Sequence, residues 1–255
     1  MKLLVDIGNS NIVFGIFENK WKYVWRIKTQ KDKPALYYSL KLNELLWEAG
    51  IDVKDIEFKV LSSVVPKLKD IIVEVLEKLN DKPLVILDRN IYDKLDIEVK
   101  NPLEMGTDLV ANAIAAHKLY NGNVIIVDFG TALTFTAMDE SGNVLGVNIA
   151  PGLQTAVNAL IGNTAQLPKV KLEFPPHPIG SNTVEAIQNG VLIGYIGLVK
   201  YMIKAIKTYL GHDYKTVVTG GLSSVIAPNI GEIDFVEPNL TLYGLLFAGE
   251  LVLIQ

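Results

Sequence analysis

The 255-residue chain has no cysteine, which excludes disulfides, iron–sulfur clusters, zinc–thiolate sites and thiol catalysis and fits a reducing compartment. Histidine is scarce as well, and His117, His177 and His212 lack the spacing of a histidine-built metal site. There is no basic excess: a net charge of −4 and a pI near 5.5 argue against general nucleic-acid or anionic-membrane binding and favour work on small molecules. No cleavable leader is visible, because Met1-Lys2 runs straight into a short strand pattern. The most hydrophobic later stretch, 191–203, is interrupted by Gly194, Gly197 and Lys200 and reads as too short to cross a bilayer. These absences point to the cytoplasm. The 49% apolar and 20% charged content suits one large or two modest globular domains.

What the chain does have is a repeated turn. Leu3-Leu4-Val5-Asp6-Ile7-Gly8-Asn9-Ser10-Asn11-Ile12-Val13-Phe14-Gly15 recurs in outline as Ile126-Val127-Asp128-Phe129-Gly130-Thr131-Ala132-Leu133-Thr134-Phe135. In both, an apolar run ends on Asp, a glycine and small polar residues make a turn, and a β-prone run resumes. Such a hairpin lets backbone approach a polyphosphate closely and offer it N–H groups. The carboxylate would repel phosphate, so it suits a cation, or the water around one, that neutralises a nucleotide. One Asp-x-Gly hairpin is commonly a plain turn. Two suggest a duplicated chain whose hairpins could clamp one nucleotide.

The elements fall in a matching order. Residues 2–7, 11–17 and 22–28 read as strands, and 34–48 as an amphipathic helix with Leu36, Leu40, Leu45 and Trp47 among its apolar positions. A strand at 58–62, a helix opened by Pro66 and running to 79, and a strand at 84–87 complete a βββαβαβ half. From 106 an alanine-rich helix runs to about 120, stopped by Asn121-Gly122. Strands follow at 123–128, 132–138 and 144–149, with Asp139-Glu140-Ser141-Gly142 as the turn. Then come a helix from Pro151-Gly152 to about 160, a proline-rich loop, and a long helix over 183–210 whose glycines suggest close packing. A strand at 215–219, the Gly220-Gly221 turn, a short strand near Phe235 and a helix from about 241 end the chain. Halves are expected at 1–105 and 106–255, packed without a flexible linker. Trp21, Trp25 and Trp47 read as core or interface residues.

The order of motifs resembles the acetate and sugar kinase, Hsp70 and actin superfamily, and more closely the type III pantothenate kinases. The likeness rests on Asp6-Ile7-Gly8-Asn9-Ser10, Asn101-Pro102, Gly106-Thr107-Asp108, Asp128-Phe129-Gly130-Thr131-Ala132, Pro151-Gly152, Thr164-Ala165-Gln166-Leu167-Pro168, Gly180-Ser181-Asn182-Thr183 and Thr219-Gly220-Gly221, in order along essentially the whole chain. The resemblance implies an α/β fold of duplicated ribonuclease-H-like, actin-like ATPase halves, each a mixed β-sheet with helices, with ATP in the cleft between them. It also implies phosphorylation of pantothenate by ATP, the first step of coenzyme A synthesis, in a homodimer with the active site near the interface. Implied cofactors are Mg2+ or another divalent metal and K+ or NH4+. Residue by residue, Asp6, Gly8, Asn9, Ser10 and Asn11 resemble the first phosphate motif, with Asp6 holding the divalent metal through water. Gly130, Thr131 and Thr134 resemble the second motif, Asp128 the monovalent-cation ligand, and Gly220 and Gly221 the adenosine-side turn.

Asp108 resembles the family's catalytic aspartate, which orients the attacking hydroxyl and accepts its proton. Read from local sequence alone, capping the helix that starts there is the favoured role, and the matching motif reverses that preference. Gly106, Thr107 and Thr183 resemble substrate-side residues, and Thr183, Asn182 and Ser181 are rival caps of the long helix. Asn112, one turn beyond Asp108, could orient it, although an exposed polar position is the commoner reading. The chain departs from the family at Leu109, where an arginine usually holds the pantothenate carboxylate; that loss is worth on the order of 1.5–3 kcal/mol of substrate binding unless replaced. Lys100 is a candidate substitute, though a solvated lysine is the simpler reading. A second departure is Leu133, between Ala132 and Thr134, where the family has a further threonine. Leu109 therefore keeps open a non-catalytic or altered-substrate paralogue on the same nucleotide-binding fold.

Overall fold

The computed structural model describes residues 1–255 apart from Ala165, His212 and Gln255. The histidine-spacing argument for His212 and the Ala165 position of the motif at 164–168 therefore lie outside the described residues. The chain packs as two units, Met1–Lys118 with Leu240–Gln255, and Leu119–Asn239.

The first unit contains β1 (Lys2–Ile7), β2 (Asn11–Glu18), β3 (Lys20–Lys28), α1 (Ala35–Glu48), β4 (Phe58–Ser63), α2 (Pro66–Leu79), β5 (Leu84–Ile86), the short β6 (Glu98–Val99) and α3 (Thr107–Leu119). The second contains β7 (Val124–Phe129), β8 (Ala132–Met138), β9 (Asn143–Pro151), α4 (Leu153–Gly162), α5 (Thr183–Leu210), β10 (Lys215–Thr219), α6 (Ser223–Ile226) and β11 (Phe235–Val236), and α7 (Leu240–Ile254) returns to the first. The first sheet has the order β3-β2-β1-β4-β5, and in the second unit β9-β8-β7-β10-β11 repeats it. In each, the first three strands are antiparallel neighbours and the remainder join in parallel. The duplication heard in the two hairpins is thus a duplication of topology.

Side-chain alternation along β1 and β4 divides the first unit into two cores. Leu3, Val5, Ile7 and Leu61 pack with Tyr38, Leu42 and Leu46 of α1 and Leu68, Ile72 and Leu76 of α2. Leu4, Phe58 and Val60 pack on the other face with Val110 and Ile114 of α3 and Leu242, Leu245 and Leu246 of α7. The apolar face of α1 is Tyr38, Leu42 and Leu46, whereas Leu36, Leu40 and Trp47 are 68%, 62% and 82% exposed. Trp47 is accordingly no core residue. Trp21 does pack, edge-on to Phe17 and Tyr243 at 5.1 Å each, and Trp25 stacks on Tyr23.

Lys59, on the α2 side of β4, is fully buried. Its ammonium donates to the Leu76 carbonyl at 2.9 Å, the Asn80 carbonyl at 2.7 Å and Asn80 Oδ1 at 2.8 Å. The two backbone carbonyls are of the kind that the end of a helix leaves without intrahelical donors. Burial pushes the Lys59 pKa down, with Asp81 and Glu77 opposing.

Helix α5, 28 residues long, is long and apolar enough by length and composition to cross a membrane, so shortness is no argument against it. Leu192, Val199 and Ile203 nevertheless pack into the core of the second unit beside Ile125, Val127 and Phe135. Its glycines do not serve close packing inside the chain: a Cβ built at Gly190, Gly194 or Gly197 meets nothing within 4 Å. Close packing occurs instead at Gly244 of α7, where a Cβ would stand 1.8 Å from the Ala111 carbonyl oxygen of α3. Gly244→Ala should therefore force α7 off α3 and lower stability by about 3 kcal/mol. A urea melt with an unchanged midpoint would refute that contact.

Candidate active site

In the first unit the Asp6 hairpin is built tightly. The Gly8 amide donates to the Asn11 carbonyl at 2.9 Å, and a Cβ on Gly8 would press on that same oxygen at 3.1 Å. Thr29, just past β3, holds the turn from behind: its hydroxyl donates to the Gly8 carbonyl at 2.7 Å and its amide to the Ser10 carbonyl at 3.0 Å. Oxygens that would repel an anion are thereby tied back. The Lys31 ammonium donates to Asn9 Oδ1 at 3.4 Å and puts a positive charge beside the turn. Sequence reasoning passed over both residues, since neither belongs to the repeated motif. Asn9, Ser10 and Asn11 are exposed at the tip.

Asp108 sits in the first turn of α3, where the amides of Leu109 (2.8 Å from Oδ1) and of Asp108 itself bond its carboxylate. The capping reading is thus part of its role. Burial nonetheless dominates and raises its pKa above the ordinary aspartate value, with the two backbone hydrogen bonds opposing. Gly106 makes room for it, as a Cβ there would lie 2.5 Å from Asp108 Oδ1. Thr107 Oγ1 is 2.9 Å from Ser62 Oγ at the end of β4. Asn112 is fully buried, correcting the exposed reading, and Thr241 Oγ1 at the start of α7 donates to its Oδ1 at 2.8 Å. The Tyr92 phenol is pushed up to about 12 by burial, with the charges of Asp88 and then Asp108 adding to the shift. Leu109 is half-buried and Lys100 exposed.

The second unit repeats the plan with different supports. Asp128 on β7 pairs in register with Thr134 on β8 and Thr219 on β10, so all three side chains share one sheet face. The Thr134 hydroxyl is buried and has no hydrogen-bond partner among the described residues. A carboxylate with neighbouring hydroxyls is an all-oxygen donor set, suited to a hard cation. Gly220, at φ +94°, folds over the carboxylate; a Cβ there would lie 2.5 Å from Asp128 Oδ1 and 2.6 Å from the Phe129 backbone. Gly130 leaves Asp128 Oδ1 at 3.5 Å from its own Cβ position. The Gly152 amide (3.1 Å) and Thr155 hydroxyl (2.6 Å) both donate to the Thr131 carbonyl, as Thr29 does for the first hairpin.

At the start of α5 the cap is Asn182, whose Oδ1 accepts from the Glu185 amide at 3.0 Å. Glu185 in turn accepts from the Ser181 amide and hydroxyl at 2.8 Å each. Thr183 is therefore not the cap and lies exposed in the first turn. Among the described residues no group of three His, Cys, Asp or Glu side chains gathers as a metal site.

Comparison with known proteins agrees with these motifs. A chain from Arthrobacter, inorganic polyphosphate/ATP-glucomannokinase, superposes with a TM-score of 0.50 at 14% identity, covering 100% of both chains. The activator of 2-hydroxyisocaproyl-CoA dehydratase from Clostridium difficile, solved with ADPNP, gives 0.52 at 12% identity over 100% of this chain and 96% of that one. At such identities the likeness is one of fold, the sugar-kinase and actin-like ATPase fold of duplicated ribonuclease-H-like halves. Sequence similarity goes further. A type III pantothenate kinase from Moorella thermoacetica is 43% identical over 247 residues, 96% of this chain and 97% of its own length. The family model described as type III pantothenate kinase matches residues 2–205. Motif order, topology and full-length similarity lead to one conclusion: the chain belongs to the type III pantothenate kinase family.

Proposed function

We propose that the protein transfers the γ-phosphoryl group of ATP to the hydroxyl of pantothenate, giving 4'-phosphopantothenate at the head of coenzyme A biosynthesis. The observation that carries this reading is the desolvated Asp108 carboxylate at the start of α3, in a chain that matches the family almost end to end. The pantothenate oxygen forms the new bond to the γ-phosphorus as the bond to the ADP oxygen breaks, and Asp108 orients the hydroxyl and takes its proton. Gly106, Thr107 and Thr183 serve the substrate side. In the first unit Gly8, Asn9, Ser10 and Asn11 meet phosphate oxygens, with Lys31 adding charge. In the second, Gly130, Thr131 and Thr134 meet phosphate and Gly220-Gly221 the adenosine.

Mg2+ or another divalent ion and K+ or NH4+ supply neutralisation of the triphosphate when bound. Asp6 fits the first through water, because among the described residues no group of three His, Cys, Asp or Glu side chains gathers around it. The Asp128, Thr134 and Thr219 oxygens fit the second. We place the protein in the cytoplasm, as expected of a metabolic kinase, and read it as a homodimer. Exposed Ile193, Tyr201 and Tyr209 and the open positions of Gly190, Gly194 and Gly197 support α5 as the contact helix.

Asp108→Asn should lower kcat by about two to four orders of magnitude with ATP binding retained. Undiminished turnover would end the assignment of Asp108 as base. The wild-type acidic limb of kcat should lie above the ordinary aspartate value of 3.8. The folded state binds this proton more tightly than the unfolded chain, so stability falls as pH rises from the ordinary to the raised pKa and stays reduced above it. Asp108→Asn should thus match or exceed wild type in thermal stability at pH 7, an advantage absent below the ordinary range; a variant less stable at pH 7 contradicts the desolvation argument. Leu109→Arg should lower the pantothenate KM about tenfold by restoring a carboxylate partner. If ADP release proves independent of pantothenate, the altered-substrate reading favoured by Leu109 takes over.

A further inference from the structure

Strand β4 brings a residue without an assigned role to the edge of the catalytic helix. Parallel pairing sets Ser62 directly beside Asp6 of β1. Alternation along β4 turns Ser62 to the same face as Phe58 and Val60, the face covered by α3 and α7. Ser62 is fully buried, and its Oγ lies 2.9 Å from Thr107 Oγ1, one residue before Asp108. The other supports of this end are apolar packing of buried Val110 with Leu4, Val60 and Leu242 and a bond within the turn, from the Val110 amide to the Gly106 carbonyl at 3.1 Å. One turn on, Asn112 is fixed to Thr241. The Ser62–Thr107 pair is a polar side-chain tie that joins the first turn of α3 to the sheet.

We propose that Ser62 is a positioning residue: through the Thr107 hydroxyl it sets the first turn of α3, and with it the Asp108 carboxylate, against the strand that ends in the Asp6 hairpin. This rests on the reading of Asp108 as the base. A hydroxyl at 62 and a hydroxyl at 107 act as a single device, so removing either should have the effect of removing both. A buried polar pair of this kind also fixes a geometry that apolar contact alone would leave loose.

The test compares Ser62→Ala, Thr107→Val, the double variant and Thr107→Ser, with Asp108→Asn alongside, each checked for folding by circular dichroism and for ATP binding. Ser62→Ala should lower kcat about tenfold or more through misplacement of the base, with the KM for ATP and for pantothenate unchanged, and Thr107→Val should show at least that loss in kcat. The double variant should be no slower than the slower single one. Thr107→Ser keeps the hydroxyl and should turn over faster than Thr107→Val. A wild-type kcat in Ser62→Ala, additive losses in the double variant, or a Thr107→Ser variant as slow as Thr107→Val would overturn the proposal. If Asp108→Asn is inactive while Ser62→Ala is unaffected, only the positioning role falls. If Asp108→Asn retains turnover, the base assignment and the role of the pair fall together.

Discussion

The parallel register of β1 against β4 is the constraint on which the first unit depends. It aligns Leu3, Val5 and Ile7 with Leu61 on the α1 and α2 side, and it turns Leu4 with Phe58 and Val60 toward α3 and α7. Asp6 and Ser62 fall on the second face because the side-chain period of a strand is two. A slip of one residue would exchange the two sets and carry Asp6 into the α1 and α2 core while sending three large apolar residues the other way. Hydrophobic burial therefore fixes where the carboxylate points. Lys59 adds to this fixity: it belongs to the opposite face, and its ammonium serves the last carbonyls of α2.

The second unit solves the same problem with the same strand order and other side chains. Both hairpins carry Asp on the central strand, glycine at the turn, and a support that takes up the turn's carbonyl oxygens. In one the support is Thr29 beyond β3; in the other it is Gly152 and Thr155 where α4 begins. Such divergence is expected when the requirement is a hydrogen-bond donor behind a turn and not a particular residue. Gly220 has no such latitude. Its positive φ and its closeness to Asp128 and Phe129 each exclude a side chain.

Most of the element order was legible because its punctuation is local. Pro66, Asn121-Gly122, the Asp139 to Gly142 turn and the Asn182 to Glu185 cap each stop or start a helix or strand through short-range chemistry. The repeated Asp hairpins were legible for the same reason. Residues defined by distant contacts were not. Alpha-helical periodicity in α1 is ambiguous, since apolar residues also lie at 36, 40 and 47, and packing alone selects Tyr38, Leu42 and Leu46. Asn112 looks like a surface residue until α7 supplies Thr241. Ser62, Thr29 and Lys31 carry no motif, and their partners lie 45, 21 and 22 residues away in the chain.

The first unit is discontinuous in sequence, and this bears on how the chain is made. Its α7 strip of Leu242, Leu245 and Leu246 is synthesised after every strand of both units. The second unit, contiguous from Leu119 to Asn239, holds all its strands before α7 leaves the ribosome. During synthesis the earlier-made unit is thus the later one to close, and until it does, Leu4, Phe58 and Val60 lack the cover that α7 provides. Exposed apolar surface of this kind is what makes a partly made chain prone to aggregate, so the last helix to be synthesised is the one that closes the first unit's core.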